Sequence, residues 1–133
     1  MQVVKYEEIV QQSFVQTNYM LDVVLPSLVN TISEARATQS VLINVYKDSY
    51  FGVIELELNA QKKVFELHLE NLVSIHDEFT GEIEMTESLD FDEEIKEFEH
   101  KLLVSINKLT TLINKMDIEI QKLKGYVDGK VSK

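Results

Sequence analysis

Residues 95–127 read IKEFEHKLLVSINKLTTLINKMDIEIQKLKGYV, and apolar side chains recur through this stretch at steps of three and four residues. This spacing places them on one side of an α-helix. The ten positions are Ile95, Phe98, Leu102, Ile106, Leu109, Ile113, Met116, Ile120, Leu123 and Val127. A helix of this length extends for about 50 Å, so it must pack against the rest of the chain, a second copy or another protein.

The N-terminal segment predicts a helix over about residues 3–47. Its apolar positions keep a 3.6-residue period, and they are Val10, Phe14, Leu21, Val24, Leu28 and Ile32. Pro26, the only proline in the chain, lies inside this segment. Because its ring removes a backbone donor and clashes with the carbonyl of Asp22, the helix is expected either to kink there or to restart with Pro26 in its first turn.

The middle of the chain predicts a turn at residues 48–52, where Gly52 supplies backbone freedom, followed by a helix over 53–79. This helix carries two apolar stripes, so we expect it to pack between two others. One stripe contains Val53, Leu56, Ala60, Val64 and Leu67, and the other contains Ile54, Leu58, Phe65, Leu69, Leu72 and Phe79. The segments 54–58 and 65–69 also alternate as strands do, so a β-hairpin at about 53–70 is the alternative.

An acidic connector is predicted over 80–89, with Gly81 as a helix cap. Asp90 and Glu93 have the spacing of a capping box and predict a last helix over 90–126. The chain is therefore expected to form one all-α domain over residues 1–133. We predict an elongated three-helix bundle, or a helical hairpin with a long amphipathic C-terminal helix.

The net charge of −10 is concentrated between residues 77 and 101, a segment that contains eleven acidic residues and two lysines and so has a net charge of −9. This balance argues against nucleic acid as a partner, because phosphate neutralisation requires a cationic surface. The sequence shows no signal-peptide pattern and no apolar run long enough to span a membrane. We expect a protein that is cytoplasmic as made, with a signal-peptide-independent export route left open.

The chain contains little that suggests catalysis. It has no cysteine, and the spacing of His68, His76 and His100 does not suit a zinc site. The acidic residues lack calcium-loop spacing, and no nucleophile elbow or phosphate-binding loop is present. No catalytic residue, cofactor or metal is predicted, and the sequence does not indicate an enzyme.

The order of the predicted helices resembles that of the small helical proteins of Gram-positive type VII secretion. Tyr50-Phe51-Gly52 is similar to the aromatic-any-glycine turn of the WXG-type hairpins, with Tyr in place of Trp, and Leu89-Asp90-Phe91 begins the last helix. The likeness extends to LXG targeting domains and their helical partner proteins. It implies a helical protein that pairs with an export cargo or a sibling subunit.

We therefore expect a non-enzymatic helical interaction module, such as a targeting partner or chaperone-like subunit of a secreted toxin. Its partner would be another helical protein or a second copy. The candidate partner-binding residues are Leu102, Leu109, Ile113, Met116 and Leu123. The alternative explanation of this stripe is that it fills an intramolecular three-helix core.

The alternative function is an acidic inhibitor, of phage or mobile-element type, that occupies a basic groove of a nucleic-acid enzyme. Such an inhibitor would use the acidic side chains of Glu82, Glu84, Glu87, Asp92, Glu93 and Glu94.

Overall fold

The computed structural model describes residues 3–37, 41–85 and 93–128, and all of them are helical. The elements are α1 (Val3–Tyr19), a π-helical turn (Met20–Val24), α2 (Leu25–Ala37), α3 (Val41–Met85) and α4 (Glu93–Asp128). The all-α prediction is confirmed. The β-hairpin alternative is wrong, because residues 53–70 lie within α3.

The π-helical turn joins α1 to α2 without a break, and we call residues 3–37 the N-terminal arm. The Leu25 N–H donates to the Met20 carbonyl, five residues earlier. Pro26 has no N–H to donate, and its ring would clash with a carbonyl of the preceding regular turn. A widened turn just before the proline removes that conflict, so the chain accommodates Pro26 with a local π-helix.

The predicted first helix over 3–47 is wrong at its C-terminal end, because α2 ends at Ala37 and α3 begins at Val41, and the predicted turn at residues 48–52 does not occur, because α3 continues through it. None of the described glycines has a positive φ, so Gly52 is an ordinary helical residue. Glycine inside a helix costs about 1 kcal/mol relative to alanine. Burial of the neighbouring Phe51 and Ile54 outweighs that cost.

The end of α3 also differs from the prediction. The helix passes Gly81 and ends at Met85, so residues 80–85 are not a connector. The remainder of the predicted connector and the proposed capping residue Asp90 lie outside the described residues.

Aromatic and polar contacts fix the directions of the helices. Along α3 and α4, Phe79 lies against Phe98 with ring centroids 5.0 Å apart, while Lys62 Nζ lies 3.0 Å from Asp117 Oδ1 further along. These two helices are therefore antiparallel. The N-terminal arm runs parallel to α4, since Tyr6 stacks near Phe98 and Arg36 lies over the ring of Tyr126.

The interface between α3 and α4 uses side chains spaced seven residues apart on α3. Phe51, Leu58, Phe65, Leu72 and Phe79 are all buried. A seven-residue repeat keeps one face of a helix against its neighbour over many turns. The long α3 therefore buries one stripe along most of its length.

Candidate interaction surface

The structure places the predicted partner-binding residues inside the molecule. Leu102, Leu109, Met116 and Leu123 are fully buried, and Ile113 is half-buried beside them. The intramolecular core, which was the alternative explanation of this stripe, accounts for their positions. A docking surface on this molecule would therefore consist of apolar side chains that the fold leaves exposed.

The buried stripe of α4 also includes positions that the sequence pattern did not select. Ser105 and Leu112 are fully buried, whereas Ile106 and Ile113 are only half-buried. α4 packs against α3 on one side and against the N-terminal arm on the other. Two neighbours widen the buried arc beyond the single row expected from a 3.6-residue period.

The buried surface of the N-terminal arm against the other helices is more polar than the interface between α3 and α4. Its buried side chains include Ser13 and Thr17, and Ser105 is buried on α4. The hydroxyl oxygens of all three lack a hydrogen-bond partner among the described residues. On the same helix as Thr17, Asn18 Oδ1 accepts a hydrogen bond of 2.9 Å from Lys108 Nζ, which ties the arm to α4 near the surface.

On α3, one of the two predicted stripes is exposed. The side chains of Val53, Leu56, Val64 and Leu67 are 48–72% exposed, and Ala60 between them is exposed as well. The expectation that α3 is sandwiched on both stripes is therefore wrong within the described residues. The N-terminal arm packs beside α3 instead of covering this stripe.

Residues of α1 extend the exposed surface. A small cleft brings Gln12 and Gln16 of α1 together with His68 and Asn71 of α3. Since α1 and α3 are antiparallel, the next turn of α1 after Gln16 lies beside the turn of α3 before His68. Tyr19 and Val23, which are 60% and 49% exposed, belong to that next part of the arm.

We call this surface the outer face and define it by its large apolar side chains. Its members are Tyr19, Val23, Val53, Leu56, Val64 and Leu67. Single exposed apolar residues are ordinary on a protein surface, whereas several of them on adjacent helices are typical of a binding surface. The outer face is therefore the candidate interaction surface.

Acidic side chains border the outer face on α3. Glu57, Glu66 and Glu70 are exposed near it, against the single exposed lysine Lys63. Lys62 is half-buried and paired with Asp117 of α4, so its charge is already offset. The border is thus net negative, in keeping with the charge of the whole chain.

The described residues contain neither a cluster of metal ligands nor a helix that could span a membrane. Within those ranges, no three His, Cys, Asp or Glu residues converge as metal ligands. His76 Nδ1 lies 3.8 Å from the carboxylate of Asp77, its neighbour in the chain. None of the helices described combines the length and the apolar character that a membrane span requires.

The six acidic side chains of the predicted inhibitor surface, at positions 82, 84, 87, 92, 93 and 94, lie outside the side chains that the structure describes.

Comparison of the chain with protein-family models, with curated proteins and with solved structures gave no match.

Proposed function

We propose that this protein is a non-enzymatic helical interaction module, and that its outer face binds one amphipathic helix of another protein. The observation that supports this most directly is the exposed stripe of α3, whose large members are 48–72% exposed. These four side chains remain in water in the free protein. A partner that buried them would add hydrophobic stabilisation.

The shape of the stripe suits a helix. Val53, Leu56, Ala60, Val64 and Leu67 follow one another at steps of three, four, four and three residues. They form a line about 21 Å long, which is about four helical turns. Tyr19 and Val23 flank this line on one side, so a partner helix would rest against two helices rather than one.

The charges favour a partner helix with basic flanking residues. Glu57, Glu66 and Glu70 would face those flanks, and opposite charges across an interface speed association and fix its register. A second copy of this chain would bring the same acidic border and a further net charge of −10. The charges therefore favour a basic partner helix over a second copy of this chain.

The resemblance to the helical proteins of type VII secretion supplies a concrete class of partner. On this proposal the protein is a targeting partner or chaperone-like subunit, and the bound helix belongs to an export cargo or a sibling subunit. Helical proteins encoded beside this chain are the first candidates.

The test is to co-express the chain with each helical neighbour and to measure the mass of the purified species by light scattering. We expect a one-to-one complex with one of them. A Leu56→Ser/Leu67→Ser variant should weaken that complex at least tenfold. The matched control is Leu103→Ser/Ile118→Ser, because these two side chains are also exposed but lie on α4.

Two results would overturn the proposal. One is a monomer that binds none of its helical neighbours. The other is a complex that the α4 control weakens as much as the outer-face variant does. Circular dichroism of each variant shows whether the helical fold is retained.

A further inference from the structure

A cleft of about 600 Å³ lies between α1 and the first turns of α4, away from the outer face. Its walls are mainly apolar and include Val10, Phe14, Phe98 and Val104. Pockets that bind small molecules have volumes of about 300–1,000 Å³ and walls of this kind. The cleft therefore has the size and lining of a ligand site.

The polar groups of the cleft are unevenly charged. Glu7 and Glu8 of α1 contribute two exposed carboxylates, whereas Lys101 of α4 contributes one exposed ammonium group. The lining also includes Gln11 and His100. A positively charged ligand is favoured by this balance and by the net charge of −10 on the chain.

The Phe14 end of the cleft already has a cation of its own. Lys108 Nζ lies 4.8 Å from the centroid of the Phe14 ring, within the range of a cation–π interaction. Phe14 is half-buried and also lines the cleft. The part of the Phe14 ring that lines the cleft is therefore left for contact with an alkyl chain, and a ligand's ammonium group is expected at the other end, beside the carboxylates of Glu7 and Glu8.

We infer that this cleft binds an aliphatic primary ammonium ion. The alkyl chain lies against Val10, Phe14 and Val104, and the ammonium group lies at the carboxylates of Glu7 and Glu8. The same chemistry is found in a free alkylamine and in a lysine side chain presented by another protein. The inference does not depend on the outer face.

The first experiment measures binding of hexylammonium, hexanol and hexanoate to the full chain by NMR titration, at concentrations below those at which they aggregate. Hexylammonium should bind most tightly and hexanoate least, with shifts at Phe14 and Val104. Affinity should rise by about fourfold for each methylene from butyl- to hexylammonium, as expected for burial of an alkyl chain.

Variants at the rim of the cleft, which is formed by Glu7, Glu8 and Lys101, test whether these charged side chains cause the preference for a cation. Glu7→Gln/Glu8→Gln should weaken hexylammonium binding by about two- to fivefold per carboxylate, since exposed ion pairs are modest. Lys101→Gln should strengthen it by a similar factor. The matched control is Glu66→Gln/Glu70→Gln, which removes two exposed carboxylates from α3 and should change nothing.

A lysine whose α-amino and carboxyl groups are both blocked as amides distinguishes a protein's lysine side chain from a free alkylamine as the ligand. Binding comparable to that of butylammonium would assign the site to a lysine side chain, whereas much weaker binding would assign it to a free alkylamine. The inference is overturned if hexanoate binds as tightly as hexylammonium, if affinity is independent of chain length, or if the α3 control has the same effect as the rim variant.

Discussion

Replacing Leu109 by alanine tests whether the apolar stripe of α4 is core or docking surface. Leu109 is fully buried, whereas Leu56 on the outer face is 72% exposed. Leu→Ala removes three carbon groups, and losing their burial costs about 2.4 kcal/mol at about 0.8 kcal/mol each. The cavity left behind raises the expected loss to about 3–5 kcal/mol for a fully buried site.

The same substitution at Leu56 should behave differently. Most of its side chain remains in water in the folded state, so Leu56→Ala should change the free energy of unfolding by less than about 0.5 kcal/mol. The pair is matched in chemistry and in helical context. The difference between the two variants therefore measures burial alone.

Urea unfolding followed by circular dichroism at 222 nm gives both values. A chain of 133 residues is expected to have a total stability of about 7–20 kcal/mol, so a loss of 3–5 kcal/mol will lower the midpoint substantially. A loss below about 1 kcal/mol at Leu109, or equal losses at both positions, would refute the packing described here.

Three further experiments probe the fold. Gly52→Ala should raise the free energy of unfolding by about 0.5–1 kcal/mol, because Gly52 is helical and an added Cβ would meet nothing within 4 Å; a lower urea midpoint would instead indicate the turn that the sequence suggested. Ser105→Ala should be neutral or stabilising, by up to about 1 kcal/mol, since its buried hydroxyl has no partner among the described residues; a clear loss of thermal stability would reveal a hydrogen bond at that site. Lys62 and Asp117 should show a coupling of about 0.2–1 kcal/mol in a double-mutant cycle, because both side chains are partly exposed; a coupling that does not fall with added salt would contradict a surface ion pair.

The sequence predicted the helical character of the chain and the existence of the long amphipathic α4. These features depend on local periodicity, which a single sequence displays directly. The ends of α3 were missed, because Gly52 and Gly81 are ordinary turn signals. Tertiary burial of Phe51, Ile54 and Phe79 decided the outcome, and it is not visible in the local sequence.

The candidate surface was harder to predict for a related reason. Two apolar stripes on one helix show that both can be buried, but not which one the same chain will cover. The structure shows that Leu58 and Leu72 face the core while Leu56 and Leu67 face water. That choice depends on how the N-terminal arm packs, and therefore on long-range contacts that periodicity does not encode.

The N-terminal arm shows why its pattern was misassigned. The predicted stripe included Leu21 and Leu28, which are only half-buried, whereas Met20 and Leu25 are buried. The π-helical turn adds one residue between these two positions. A stripe with a constant 3.6-residue period therefore loses phase with the buried positions at that point.

The extra residue in this turn has a consequence for how the gene can vary. Shortening residues 20–24 by one position would keep the two buried faces aligned but return the turn to ordinary α-helical winding, which restores the clash with the Pro26 ring, whereas a deletion elsewhere in α1 or α2 would rotate one face away from the core by about 100°. A one-residue deletion at this turn should therefore be tolerated when Pro26 is replaced at the same time, and not when the proline is kept.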